Sequence, residues 1–123
     1  MDFELMLVEE GKIGLLISHA SITKETFAEM NKDINKYRKD HNVDLLLYDL
    51  RNKPLEISAF EQYDVVYNLS NKVGERHCRK IAFLVKKGDH SYDFVETLYL
   101  NSGKLAKRFE DYDEAVKWLG MKP

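Results

Sequence analysis

Asp49 and Arg51 stand two residues apart, directly after the apolar run Leu45-Leu46-Leu47-Tyr48. A carboxylate and a guanidinium at the carboxyl end of a buried strand can bind and orient a polar ligand, because ligands of open α/β sheets sit there. Catalysis needs further groups, and no second acid, phosphate-cradling loop or nucleophile–base pair accompanies these two. The plain reading is a turn-closing carboxylate beside a surface arginine. His77-Cys78 sets an imidazole beside a thiol, and an imidazole activates a thiol as a thiolate nucleophile where the two side chains meet. Adjacent residues rarely present their side chains to each other, however, and no carboxylate is placed to orient the histidine, so the dipeptide reads as a loop histidine beside a cysteine at the start of a strand. Asp89, His90 and Asp93 are metal-ligating types without a ligand motif, and capping of a helix start accounts for them. His19 and His41 stand near element ends and support no assignment. The expectation is no enzyme, no metal and no cofactor.

Ser58 and Glu61 have the spacing of a capping box. A phosphate on Ser58 would meet the free N–H groups and the positive end of a helix, and would add nearly two negative charges to a partner surface. Ordinary capping is the default role of Ser58. The chain also carries seven tyrosines, six phenylalanines and Trp118. Phe60, Tyr63, Tyr67, Phe94 and Tyr99 fall on two helical segments, where such residues fill a core, line a pocket for a small apolar ligand, or form a partner or dimer interface. Together with Asp49 and Arg51 they make the candidate ligand or partner surface.

The elements that must hold these residues follow from periodicity. Leu5 to Val8 and Ile13 to Ile17 flank a turn at Gly11 and read as a β-hairpin. Gly14 inside the second run marks a bulge or a close backbone approach. Phe27, Met30, Ile34 and Tyr37 recur at helical intervals behind Ser21 and Thr23, either of which can cap. Val43 to Leu50 and Ile81 to Val85 are unbroken apolar runs, the mark of strands covered on both faces. Between them a helix starts at Ser58 and carries Phe60, Tyr63, Val66, Tyr67, Ser70 and Val73 to a cap at Gly74. Ser91 is the expected cap of a third helix ending at Gly103. A strand from Leu105 to Phe109 and a last helix from Asp111 to Gly120 close the chain. The order β-β-α-β-α-β-α-β-α predicts an α/β fold with a mixed, mainly parallel sheet, an N-terminal hairpin and four helices.

Composition bounds the rest. The 123 residues hold 19 Lys+Arg against 21 Asp+Glu, a net charge of −2, with 44% hydrophobic residues, one cysteine and two prolines. That describes one globular domain, 1–123, and excludes collagen-like, disordered and disulfide-framed classes. The lone Cys78 makes neither an internal bridge nor a zinc site. Basic residues gather at Arg76, Arg79 and Lys80, at Lys86 and Lys87, and at Lys104, Lys107 and Arg108, but acidic residues separate the groups, so no nucleic-acid footprint is expected. No apolar run approaches the roughly 20 residues that span a bilayer, and the opening Met-Asp-Phe-Glu lacks the basic start of a signal peptide. A cytoplasmic protein is expected.

The hairpin, the strand Leu45 to Asp49, the segment Arg79-Lys80-Ile81-Ala82-Phe83-Leu84-Val85 and the ending Phe109-Glu110-Asp111-Tyr112-Asp113-Glu114-Ala115-Val116-Lys117-Trp118-Leu119 resemble the SpoIIAA-like family. That family combines a basic residue before an apolar Ile-Ala strand with a terminal F-x-x-x-x-E-A-x-x-W-L pattern. The resemblance covers almost the whole chain. It implies a STAS-like fold related to anti-sigma-factor antagonists and likened to CRAL-TRIO domains. It also implies a non-enzymatic interaction or regulatory module that meets a protein partner or a second copy, with carriage of a lipid-like ligand as the alternative. In the antagonists a partner kinase phosphorylates a serine in a D-S-x-G-type motif after the third strand, at the start of the next helix. Here Asp49 is followed by Leu50-Arg51-Asn52-Lys53-Pro54, and Ser58, which matches by location alone, is the candidate phospho-acceptor that the resemblance implies. The strand ending at Asp49 also resembles the phospho-acceptor strand of response-regulator receivers, a distant alternative. A receiver needs a helix where Ile13 to Ile17 stand, and a lysine after a fifth strand where this chain has Lys122 at its end.

Overall fold

The computed structural model describes residues 2–69 and 79–121. Ser70, Val73, Gly74, Arg76, His77, Cys78, Lys122 and Pro123 lie outside the described residues, and with them the expected helix cap at Gly74 and the His-Cys dipeptide. The chain forms β1 (Phe3–Val8), β2 (Ile13–Ser18), α1 (Lys24–Asp40), β3 (Leu45–Asp49), α2 (Ala59–Asp64) with a π-helical turn over Val65–Leu69, β4 (Lys80–Leu84), α3 (Asp93–Asn101), β5 (Ala106–Phe109) and α4 (Tyr112–Gly120). The sheet has five strands in the order β1-β2-β3-β4-β5. Only β1 and β2 are antiparallel; β2 through β5 pair in parallel. The expected α/β class with a mainly parallel sheet and four helices is what the structure shows.

Each parallel connection steps one strand in the same direction. Right-handed crossovers of that kind must lay their helices on one face of the sheet. Phe27, Met30 and Ile34 of α1, Val65 and Val66 of the π turn, and Val95, Leu98 and Tyr99 of α3 accordingly share one core with Leu16, Leu46, Tyr48, Ile81 and Phe83. Successive strand residues point to opposite faces, so Leu15, Leu45, Leu47, Ala82 and Leu84 line the reverse side. There they meet only Ala115 and Leu119 of α4 among the buried helix residues. β3 and β4 are buried on both faces, which is why their sequences run apolar without alternation.

Local signals explain the boundaries. Thr23 caps α1 by accepting the Thr26 N–H at 3.1 Å. The β1–β2 turn takes three successive left-handed residues, Glu9, Glu10 and Gly11. Gly14 is a close approach and not a bulge: pairing runs unbroken through Leu7 and Gly14, and a Cβ there would stand 3.1 Å from Leu46 Cδ2. Two expectations need correcting. The helix after Ser58 is α-helical only to Asp64, then widens into the π turn that carries the fully buried Val65 and Val66. Ser91 does not cap α3, whose N-cap is Tyr92 without a side-chain bond.

Helix α4, the one helix on the reverse face among the described residues, is anchored by Lys80. Its side chain is buried, and the ammonium donates to the carbonyls of Trp118 and Met121 at 2.6 Å each, while Nζ lies 4.8 Å from the Trp118 ring centre. Trp118 lies in the last turn of α4 and Met121 is its C-cap, where a cation complements the helix dipole; the Trp118 carbonyl also accepts the Met121 N–H at 3.2 Å. Burial, and then the charge of Arg79, push the Lys80 ammonium below the usual lysine range; the two carbonyls and the ring offset that cost. Lys80→Met keeps the length of the side chain and removes the donors. It should lower stability by about 2 kcal/mol, the order expected when a buried charge-assisted bond is lost, seen as an earlier urea midpoint. An unchanged midpoint would show that Lys80 does not anchor α4.

Candidate functional site

In a parallel sheet of this connectivity the loops after β3 and β4 emerge side by side at the carboxyl edge, and the N-termini of α2 and α3 start from that same edge. The two loops are tied together. Ser91 Oγ accepts the Leu55 N–H at 2.8 Å, and the Tyr92 hydroxyl donates to the Lys53 carbonyl at 3.1 Å. Burial, and secondarily the charge of Asp89, raise the Tyr92 phenol far above its ordinary value, so it stays a neutral donor. Asp89 Oδ1 accepts the Ser91 N–H, and Asn52 donates to the Ser18 carbonyl at 2.6 Å, which fixes the first loop to β2. Between the loops lies a cleft of about 310 Å³ lined by Arg51, Asn52, Pro54, Lys86, Lys87, Gly88 and Asp89.

Asp49 and Arg51 do meet here, and they satisfy one another. Arg51 Nε donates to Asp49 Oδ1 at 3.0 Å and Nη2 to Oδ2 at 2.8 Å, while the Arg51 backbone N–H reaches Oδ1 at 3.3 Å. The bond to Asp49 is the main reason the guanidinium holds its proton more tightly than usual. A fork-on-fork pair of this kind fixes the turn and leaves little of the guanidinium for a ligand. Lys53, Lys86 and Lys87 are exposed and have no ion-pair partner among the described residues.

Ser58 is the N-cap of α2. Its hydroxyl accepts the Glu61 N–H and the Glu61 carboxylate accepts the Ser58 N–H, both at 3.1 Å, completing the capping box. The same carboxylate would oppose a phosphate on Ser58. The aromatics divide. Phe60 is 76% exposed, Tyr63 49% and Phe94 40%, whereas Tyr99 is buried and Tyr67 half-buried. The Tyr99 and Tyr48 hydroxyls both donate to Asn31 Oδ1, at 3.2 and 2.6 Å, and Tyr67 donates to the Leu98 carbonyl at 3.0 Å. Tyr99 is therefore core, and Tyr67 ties the π turn to α3. Phe60 and Phe94 are each the second residue of neighbouring helices that run in the same direction, so both lie at the carboxyl edge beside the cleft. Of the remaining expected groups, His90 pairs with Asp93 at 2.9 Å and His19 with Glu4, both on the surface. No cluster of metal-ligating side chains occurs among the described residues.

The residue that sequence reasoning missed here is Glu110. It accepts the Gly88 N–H at 3.0 Å and pairs with Arg108, joining the β4–α3 loop to the end of β5. Arg108 in turn donates to the Asp89 carbonyl at 2.9 Å. Comparison of the chain with family models, curated proteins and solved structures returns no match.

The Gly88 N–H, and then Arg108, hold the Glu110 carboxyl below the usual range. A depressed carboxylate binds fewer protons folded than unfolded, so its contribution is complete above the ordinary glutamate value and is lost as pH falls through the lower folded one. Urea midpoints of wild type and Glu110→Gln should therefore differ near neutrality and converge as the pH falls below the ordinary glutamate value and through the lowered folded one. A constant gap across that window would show that Glu110 is not linked in this way. Ser58→Ala should cost about 1 kcal/mol through loss of the cap; a stability equal to wild type would mean the box does not hold α2.

Proposed function

We propose that this chain is a non-enzymatic, STAS-like interaction module that binds a protein partner through the first turns of α2 and α3. The observation that carries the reading is the exposure of Phe60, Tyr63 and Phe94 on two adjacent helices whose other aromatic, Tyr99, is fully internal. Large aromatics are enriched at the centres of protein interfaces, where they bury much area with few torsions. The scaffold beneath them is fixed by the capping box, the Tyr67 bond and the loop ties, so the surface is preorganised. Arg51 serves this surface as a structural member paired with Asp49. The SpoIIAA-like resemblance of the β4 segment and the C-terminal pattern supports the same reading.

Carriage of a small apolar ligand has one observation in its favour. Asn31 Nδ2 is buried in the main core without a hydrogen-bond partner, and a polar ligand atom would satisfy it. Of the tyrosine hydroxyls expected to orient such a ligand, those of Tyr67 and Tyr99 are bonded within the chain.

Photo-crosslinking in the chain's own cells tests the interface. A benzoylphenylalanine at position 60 should capture a discrete protein adduct, and one at the exposed Lys117 on α4 should not. Adducts that form equally from both positions, or from neither, would contradict an interface on α2 and α3. A product at twice the chain mass would identify the partner as a second copy.

A further inference from the structure

The aromatic face does not stand alone, because the cleft at its edge carries a charge opposite to that of the whole chain. The net charge is −2, yet three exposed lysines, Lys53, Lys86 and Lys87, crowd the two loops that open between α2 and α3. The nearby acids other than the exposed Glu56 are engaged. Asp49 is held by Arg51, Asp89 accepts the Ser91 N–H, Glu61 closes the capping box and Asp93 pairs with His90. Of the unpaired charges on the two loops, three are these lysines and one is the exposed Glu56, so their balance is cationic. The cleft lacks the fittings of a dedicated phosphate site: the Gly88 N–H is taken by Glu110 and the Arg51 fork by Asp49. Flexible ammonium groups on two rigid loops suit several carboxylates spread along a chain better than one compact anion.

We infer that the partner surface which docks on Phe60 and Phe94 is an acidic segment of a protein, whose carboxylates lie over Lys53, Lys86 and Lys87 while its apolar residues cover the two phenylalanines. The inference rests on the interaction reading above and adds the chemistry of the partner. The lysines steer the encounter and fix the register, and the phenylalanines supply the buried area. Because all five side chains are exposed, replacing them leaves the core and the loop ties intact.

A random-peptide display library selected on the intact chain reads this directly, with affinities of recovered peptides taken by fluorescence anisotropy. Recovered sequences should be rich in Asp and Glu around apolar anchors. Their binding should weaken at least about tenfold in Lys86→Glu/Lys87→Glu, in Phe60→Ser/Phe94→Ser, and in about 1 M salt, where the screening length falls to about 3 Å. Circular dichroism of both variants should match wild type. Peptides with no acidic bias that are still lost with the phenylalanines would overturn the acidic partner and leave the interaction module standing. Peptides indifferent to both variants, or no enrichment at all, would overturn both. Dimerisation of the chain abolished by Phe60→Ser/Phe94→Ser would replace the acidic partner with a second copy.

Discussion

The whole arrangement depends on one directional constraint, which is that β2, β3, β4 and β5 are laid down in sequence, in parallel, each beside the last. With right-handed crossovers that order leaves no freedom: α1, α2 and α3 must share a face, and the loops feeding α2 and α3 must emerge together at one edge. Two neighbouring loops at that edge need fastening, and the bonds from Leu55 to Ser91 and from Tyr92 to Lys53 supply it. Once the loops are fastened, the second residues of α2 and α3 project from the same end of the molecule. The meeting of the phenylalanines and the basic cleft at one edge is thus a consequence of topology and not of any local motif.

The same constraint creates a problem on the reverse face. Leu15, Leu45, Leu47, Ala82 and Leu84 would be open to water if the chain ended at β5. A nine-residue helix, α4, covers them, and so short a helix gains little from propensity alone. Its hold comes from Ala115 and Leu119, from Trp118 against Phe109, and from a lysine delivered by the neighbouring strand to its last carbonyls. Lys80 therefore links the sheet that shapes the site to the helix that seals its back.

The parts of this fold legible in the sequence are those written in short range. Unbroken apolar runs around Leu45 and Ile81 announce doubly covered strands, and Ser58 with Glu61 announces a helix start through a bond that spans three residues. What stays hidden depends on partners far along the chain. Lys80 reads as surface charge because its acceptors lie 38 and 41 residues away. Ser91 has the look of a cap, yet its hydroxyl serves Leu55, 36 residues distant. Glu110 carries no motif, since its partner is a backbone N–H on another loop. The exposure of Phe60 and Tyr63 is likewise invisible to helical periodicity, which puts them on one face with Val66, because the π turn after Asp64 breaks that phase and buries Val66 alone of the three.

The central claim is that the first turns of α2 and α3 are where this chain meets its partner. Hydrogen exchange followed by mass spectrometry, on the complex recovered from the chain's own cells and on the purified chain, tests it most directly. Added protection should fall on the segments 58–64 and 92–98 and on the intervening loops, with α4 and the β1–β2 turn unchanged. Protection confined to α4 or to the hairpin would contradict the account.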